Sequence, residues 1–356
     1  MAELHASATL AEALISPLTL LPVNVLQIIV IVCSFLMAAM IWPQPRLRGL
    51  LLLLGLYSML MLFNFLEETG ISRPVLRVTP VFSLLLGPAC YLLVRQLAYA
   101  AWQLRWRDGL HAIPAMLFLP LAGNVQLVLA LGTVSQLIYL AIAACILWRY
   151  QQALRCERSD ADRLGLRWLI GLLLALAGLM LTDLARLNLQ PYLAYELRNQ
   201  WYFLHQLLAF SLICLLVLRA SRQQDFFDGL DSATVEAPSQ ADTTDSQAQV
   251  VFKQLASLIE QHKLYLQPRL AVADLAKLTG MGSKEVSWAI NQGAGISFCD
   301  YINQLRLAEV QRRLRQPGEQ SILEIAFAAG FNSKSTFNSL FKAKTGLTPS
   351  QYLGKR

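Results

Sequence analysis

The strongest constraint on this chain is a run of apolar segments, most of them long enough to cross a lipid bilayer. They cover residues 23–42, 49–66, 80–99, 110–123, 125–148, 168–187 and 200–219. A helix needs about 20 apolar residues to span the hydrocarbon core, where every backbone donor and acceptor must be satisfied internally. Residues 1–222 are therefore expected to form a polytopic bundle of about seven transmembrane helices. The fourth segment is short and carries Pro114 and Pro120, so a tilted, kinked or re-entrant span is expected there.

The arginines orient this bundle. With the C-terminal end in the cytoplasm, seven spans place the N-terminus outside. The inner connections then hold Arg46, Arg48, Arg105, Arg107, Arg149, Arg155, Arg158, Arg163, Arg219 and Arg222, and the outer ones only Arg73, Arg77 and Arg198. Cytoplasmic loops carry such an excess of basic residues. Trp42, Trp102, Trp106, Trp148 and Trp168 fall near the inner edge, where indoles favour the interface. The expected location is the inner (cytoplasmic) membrane of a bacterium, with lipid as a partner. The first 22 residues contain acids and no Arg or Lys, which makes a poor secretory signal.

Composition changes sharply after the last segment. Overall, 55% of residues are hydrophobic and 15% charged, against about 25% charged in soluble domains. Every basic residue before Lys253 is an arginine, and residues 250–356 hold fourteen Lys+Arg against seven Asp+Glu. The tail thus carries the whole net charge of +7, which suits a polyanion partner or an anionic membrane surface. Between them, residues 223–249 contain six acids and no Lys or Arg. Such a stretch buries too little apolar surface to offset its ordering entropy, and a flexible acidic linker is expected. The six cysteines show no metal or disulfide spacing, and no cofactor is implied.

The tail contains an internal echo. "LAKLTGMGSKEV" at 275–286 recurs as "IAFAAGFNSKST" at 325–336, and both read as helix, glycine-containing turn, helix. In the second copy Ile322, Ile325, Ala326 and Ala329 space one apolar face. Gly330 supplies the turn, Ser333 is a good N-cap, and Phe337, Leu340 and Phe341 turn the next helix inward. In the first copy Val286 and Ile290 face inward, while Lys284, Ser287 and Trp288 project. The stretch 297–314, with Ile302, Leu305, Val310 and Leu314, reads as a rigid helix joining the copies.

On Ala326, Gly330-Phe331, Ser333, Phe337, Phe341-Lys342, Gly346, Thr348-Pro349 and Tyr352, with Phe298, Tyr301-Ile302 and Arg306-Leu307 upstream, this tail resembles the DNA-binding domain of the AraC/XylS family of bacterial transcription regulators. The resemblance covers roughly residues 250–354. It implies two helix-turn-helix units whose second helices enter successive major-groove segments of double-stranded DNA. Carried over position by position, Lys284, Ser287 and Trp288 would read one segment, and Lys334, Ser335 and Ser339 the other. Ser333, Thr336 and Lys342 would contact phosphates. The chain departs from the family pattern at Gly282, where a Ser or Thr cap is frequent, at Ser339, where a long basic side chain is frequent, and at Leu353-Gly354. These put individual base contacts in doubt but not the fold.

No enzyme signature appears, so the apolar part is a receptor or an anchor. Asn64, Glu67 and Glu68 end the second span, Asp183 and Arg186 lie near the outer end of the sixth, and His205 and Gln206 lie in the seventh. Ionisable groups at membrane depth mark functional sites, and these seven suggest an outward-opening ligand pocket. Two plainer readings stand beside it: Asp183–Arg186 as a structural intrahelical pair, and Glu67 and Glu68 as markers of the water interface. The small-residue stripe Gly171, Ala175, Gly178 and Thr182 could seat a neighbouring helix of the bundle or a second protomer.

The expected fold is an all-α transmembrane bundle followed by a cytoplasmic double helix-turn-helix domain. Its domains are 1–222, a linker at 223–249, and 250–356. The expected function is a one-component transcription regulator whose sensor is the membrane bundle, responding to a small-molecule or membrane signal and able to work as a homodimer. A transporter or membrane enzyme with a reporter tail, and a passive anchor whose tail is freed by linker proteolysis, remain open alternatives.

Overall fold

The computed structural model describes residues 20–71, 78–99, 104–161, 165–222, 245–316 and 320–354. Arg73, Arg77, Trp102, Arg163 and the linker as far as residue 244 lie outside them. The chain divides into two units, one of Met1–Leu147 with Arg167–Ser232, the other of Trp148–Leu166 with Ala233–Arg356.

Among the described residues of the first unit, six helices, the third counted with the 3-10 turn Thr79–Phe82 before it, are long and apolar enough to cross a membrane. These are α1 (Pro22–Ile41), α2 (Arg48–Glu68), α3 (Ser83–Ala98), α5 (Val125–Glu157, which continues into the second unit), α6 (Arg167–Leu189) and α7 (Tyr195–Arg222). The fourth apolar segment differs. It is split into a 3-10 helix at Trp106–Ala112, the short α4 at Ile113–Phe118 and a second 3-10 turn at Leu119–Leu121. Pro114 and Pro120 each start one of these pieces, where a missing N–H is harmless.

The broken segment nevertheless makes a complete return leg. Asn24 at the start of α1 donates to Glu68 at the end of α2 (3.0 Å), and so does Tyr202 early in α7 (2.6 Å). Glu67 accepts from the backbone N–H groups of Val78 and Thr79 (2.8 and 2.9 Å), which brings the start of α3 to the same end. Ser83 reaches Val128 O near the start of α5 (3.5 Å). Helices α3 and α5 therefore both begin at this end, and the chain between them must climb back along α3. It does so with His111 beside the rings of Tyr91 and Tyr139 (5.5 Å each), and Ala122 then joins the buried cluster of Val81, Leu84, Ala115 and Val128.

Among the described residues, the small-residue stripe on α6 seats no helix of this bundle. Gly171, Ala175, Gly178 and Thr182 are exposed, and nothing lies within 4 Å of a Cβ placed on either glycine. Leu169, Leu172 and Leu173 turn inward instead, supplying the van der Waals contact that holds helices together in lipid.

The second unit is built around two cores. Helix α8 (Asp245–Gln261) begins inside the stretch expected as linker, and its Ala248, Leu255 and Ile259 are buried at helical spacing. With α9 (Val272–Thr279) and α10 (Ser283–Ala294) it encloses Leu270, Val272, Leu275, Val286, Ala289 and Ile290. Helices α12 (Ile322–Ala328) and α13 (Lys334–Thr345) enclose Ile325, Ala326, Ala329, Phe331, Phe337 and Phe341, with Tyr352 of α14 (Pro349–Gly354) against them. Helix α11 (Phe298–Leu314) joins the two: Phe298 and Ile302 enter the first core, Leu307, Val310 and Leu314 the second.

Candidate nucleic-acid interface and membrane cavity

Each copy of the repeat is helix, turn, helix, and its turn is fixed by a glycine. Gly280 and Gly330 sit at φ +71° and +96°, a region unfavourable to other L-residues. At Gly330 the approach is also close, since a Cβ would lie 2.6 Å from Tyr265 O and 2.9 Å from Arg306 Nε. The second reading helix, α13, starts on Ser333, whose Oγ accepts from Thr336 N at 3.4 Å, as an N-cap does. The first, α10, starts on Gly282 with no side-chain cap, as the departure at that position suggested.

The buried faces leave the candidate contacts where the helical period places them. On α13, Lys334, Ser335, Ser339 and Lys342 are exposed, while Ser333 and Thr336 are half-buried at its N-terminus. The unpaired N–H groups and dipole of a helix N-terminus favour an anion such as phosphate. On α10, Lys284 is exposed, but Ser287 and Trp288 are half-buried. Trp288 was expected to project, yet it packs against the first core, because a large ring on the helix flank gains more from apolar contact than from water. Ser287 donates to Cys156 O at 3.1 Å, a partner not evident from the sequence.

Arg306 fixes the seam between the two cores. It is 1% exposed and donates from Nε to Tyr265 O (2.8 Å), from Nη2 to Gln267 O (2.8 Å) and Ser159 Oγ (3.1 Å), and from Nη1 to Asn303 Oδ1 (3.3 Å). Burial lowers its pKa to about 10, so it stays charged at neutral pH. Three residues along the same helix, Glu309 accepts from Arg312 (2.8 Å) and Arg313 (2.6 Å), which hold its carboxyl down to about 2.

In the first unit, all seven candidate ligand residues line one cavity of about 840 Å³: Asn64, Glu67, Glu68, Asp183, Arg186, His205 and Gln206. Four of its charged groups, Glu67, Glu68, Asp183 and Arg186, are already engaged. Glu67 caps the Val78–Thr79 backbone, and Glu68 accepts from Asn24 and Tyr202. Arg186 donates to Asp183 at 2.8 Å and lies 4.8 Å over the Tyr202 ring, and His205 Nδ1 is 4.0 Å from Asp183. Among the described residues, the buried lining groups without a partner are neutral: both amide atoms of Gln206 (3% exposed) and the hydroxyls of Tyr57 (5% exposed) and Thr79. Tyr202 was missed in the sequence, although it precedes His205 and Gln206 by three and four residues and so shares their helix face.

Residues 275–355 match the helix-turn-helix domain family. Among curated proteins, the HTH-type transcriptional regulator GlxA of Rhizobium meliloti (strain 1021) is 30% identical over 95 residues, 27% of this chain and 29% of that protein. Uncharacterized HTH-type transcriptional regulators of Staphylococcus aureus strains COL and MSSA476 are 29% identical over 94 residues, 26% of this chain and 12% of theirs. The match thus spans less than a third of each relative. No solved structure matches the chain significantly.

Proposed function

We propose that this chain, which carries a helix-turn-helix domain of the AraC type at its C-terminal end, is a membrane-bound, non-catalytic, one-component transcription regulator. It reads double-stranded DNA with α10 and α13 and is controlled by a signal received in the membrane bundle. The observation that carries this reading is the presence, in one polypeptide, of two stacked reading units and a bundle with a large cavity whose buried Gln206 and Tyr57 lack partners. A buried unpaired polar group costs about 1–3 kcal/mol, so a molecule that pairs with them stabilises the state that holds it.

That pairing defines a ligand class. Because Glu67, Glu68, Asp183 and Arg186 already have partners, the ligand is a neutral amphiphile. Its head donates and accepts hydrogen bonds, and its apolar body lies among Met61, Leu129, Leu172 and Ile213. The return leg of the fourth segment supports seven crossings of a bacterial inner membrane, with the cavity at the outer end and the reader in the cytoplasm. The outward stripe Gly171, Ala175, Gly178 and Thr182 suits a homodimer.

The test is selection from a randomised DNA pool by the full chain in lipid nanodiscs at two salt concentrations. Enrichment of two segments about 34 Å, one helical turn, apart is the expected outcome. Salt-sensitive binding without an enriched sequence would reduce the tail to a basic surface.

A further inference from the structure

Residues 155–160, where α5 ends, belong to the same unit as the reader, and they are packed there through their backbone. Ser159 N donates to Leu270 O at 3.0 Å, and Arg158 forms an antiparallel bridge with Ala271. Cys299 Sγ donates to Ser159 O (3.5 Å), and Arg306 to Ser159 Oγ (3.1 Å). Arg155 faces Asp300 at 3.8 Å. Ser159 and Asp160 are only 3% and 7% exposed. Contacts this specific distinguish a docked segment from a loop that merely passes by.

Its position bears on DNA reading at two points. A base edge or phosphate bound by Ser287 must come within about 3 Å of that hydroxyl, and Cys156 O, in the last turn of α5, already stands 3.1 Å from it. Asp160, held by Arg158 at 2.9 Å, lines a small cavity with Arg306, Ser333 and Thr336. Ser333 and Thr336 start α13, where the helix favours a negative group. A carboxylate there has the sign of the phosphate it would exclude.

We propose that residues 155–160 act as a built-in competitor for DNA, covering the Ser287 edge of α10 and setting Asp160 at the entry to α13 until movement of the flanking helices withdraws them. The inference rests on the assignment of α10 and α13 as the reading helices. In the docked state the second reading face, with Lys334, Ser335, Ser339 and Lys342, stays open, so the segment blocks two-point reading but not weak attraction to DNA. Since α5 leads into the segment and α6 follows it in the chain, a change in the bundle reaches it without passing through the distant 223–249 linker. The apparent affinity of the reader scales with the undocked fraction.

The experiment uses the full chain in nanodiscs and a DNA site enriched as above. Ser159→Cys allows a disulfide with Cys299 under copper-phenanthroline oxidation, scored by mass spectrometry. The cross-linked protein is expected to bind at least tenfold more weakly, with recovery on reduction, while wild type treated identically is unchanged. Asp160→Ala, which removes the carboxylate from the entry to α13, is expected to bind about tenfold more tightly, a shift of about 1.4 kcal/mol. Cross-linked protein that binds like wild type, or failure of the cross-link to form, overturns the proposal. So does unchanged or weakened binding by Asp160→Ala, which would make the segment a structural part of the reader. If neither wild type nor reduced Ser159→Cys binds any DNA although the cross-link forms, the docking stands and the DNA-reading assignment falls, and the competitor role with it.

Discussion

Arg306 Nη2 lies 3.1 Å from Ser159 Oγ, although 147 residues separate the two. The same guanidinium ties Tyr265 O and Gln267 O to α11. It therefore joins both cores of the reader to the segment between α5 and α6. A buried charge is tolerated only when its donors are matched, and a planar fork matches several acceptors at once.

Arg306→Ala should lower the stability of the reader by about 3–5 kcal/mol, because it strands buried carbonyls and opens a void. Arg306→Lys keeps the charge but not the fork, and should restore less than half of that loss. Hydrogen exchange of the α11 amides in the full chain measures both. Equal protection in wild type and Arg306→Ala would show that the seam does not depend on it.

Gly330→Ala should be costly for two independent reasons, the +96° φ and the 2.6 Å approach to Tyr265 O. Backbone strain and overpacking together come to about 2–4 kcal/mol. Gly282→Ser, at an extended φ of −71° with open space around it, should instead gain about 1 kcal/mol by capping α10. Thermal melts of the two variants should move in opposite directions.

Acid should weaken the reader through Glu309. Its folded pKa, held at about 2 by Arg312 and Arg313, lies below the unfolded value of about 4.3. The stabilisation is therefore complete above the unfolded value and is lost as pH falls from about 4 towards 2. Because Arg312 is largely exposed, solvent screening limits the effect to about 2 kcal/mol. Glu309→Gln should unfold with a shallower pH dependence over that window, as measured by exchange of α11 amides.

The two classes of proposed DNA contact should separate by salt. Lys342→Ala should weaken binding evenly across sequences and lower the salt slope by about 1, whereas Lys334→Ala or Ser335→Ala should change which sites are enriched. The same uniform loss for all three would refute the division of roles.

Gln206→Leu removes an unpaired buried amide, so it should raise the melting temperature of the ligand-free chain, with about 1 kcal/mol of added stability. A neutral long-chain alcohol or amide should raise the melting temperature of wild type and not of this variant. If both respond equally, Gln206 is not where the head group binds.

Much of this protein was written locally. Apolar runs of bilayer length, the prolines of the fourth segment, the glycine turns, the Ser333 cap and the inward phenylalanines all follow from period and backbone preference, which act over a few residues. That is why the helices and both reading units were legible in the sequence, and why the seven polar residues that converge on one cavity could be chosen from their depth alone. Other features depend on which surfaces meet. Trp288 folds onto the first core, Glu67 caps the backbone before α3, the α6 stripe turns outward, and residues 155–160 dock on the reader through contacts up to 147 residues apart. Helical period tells which side chains share a face, but not what that face will touch. The partner is chosen by competition among all the buried surfaces of the assembled unit, and only the tertiary structure decides it.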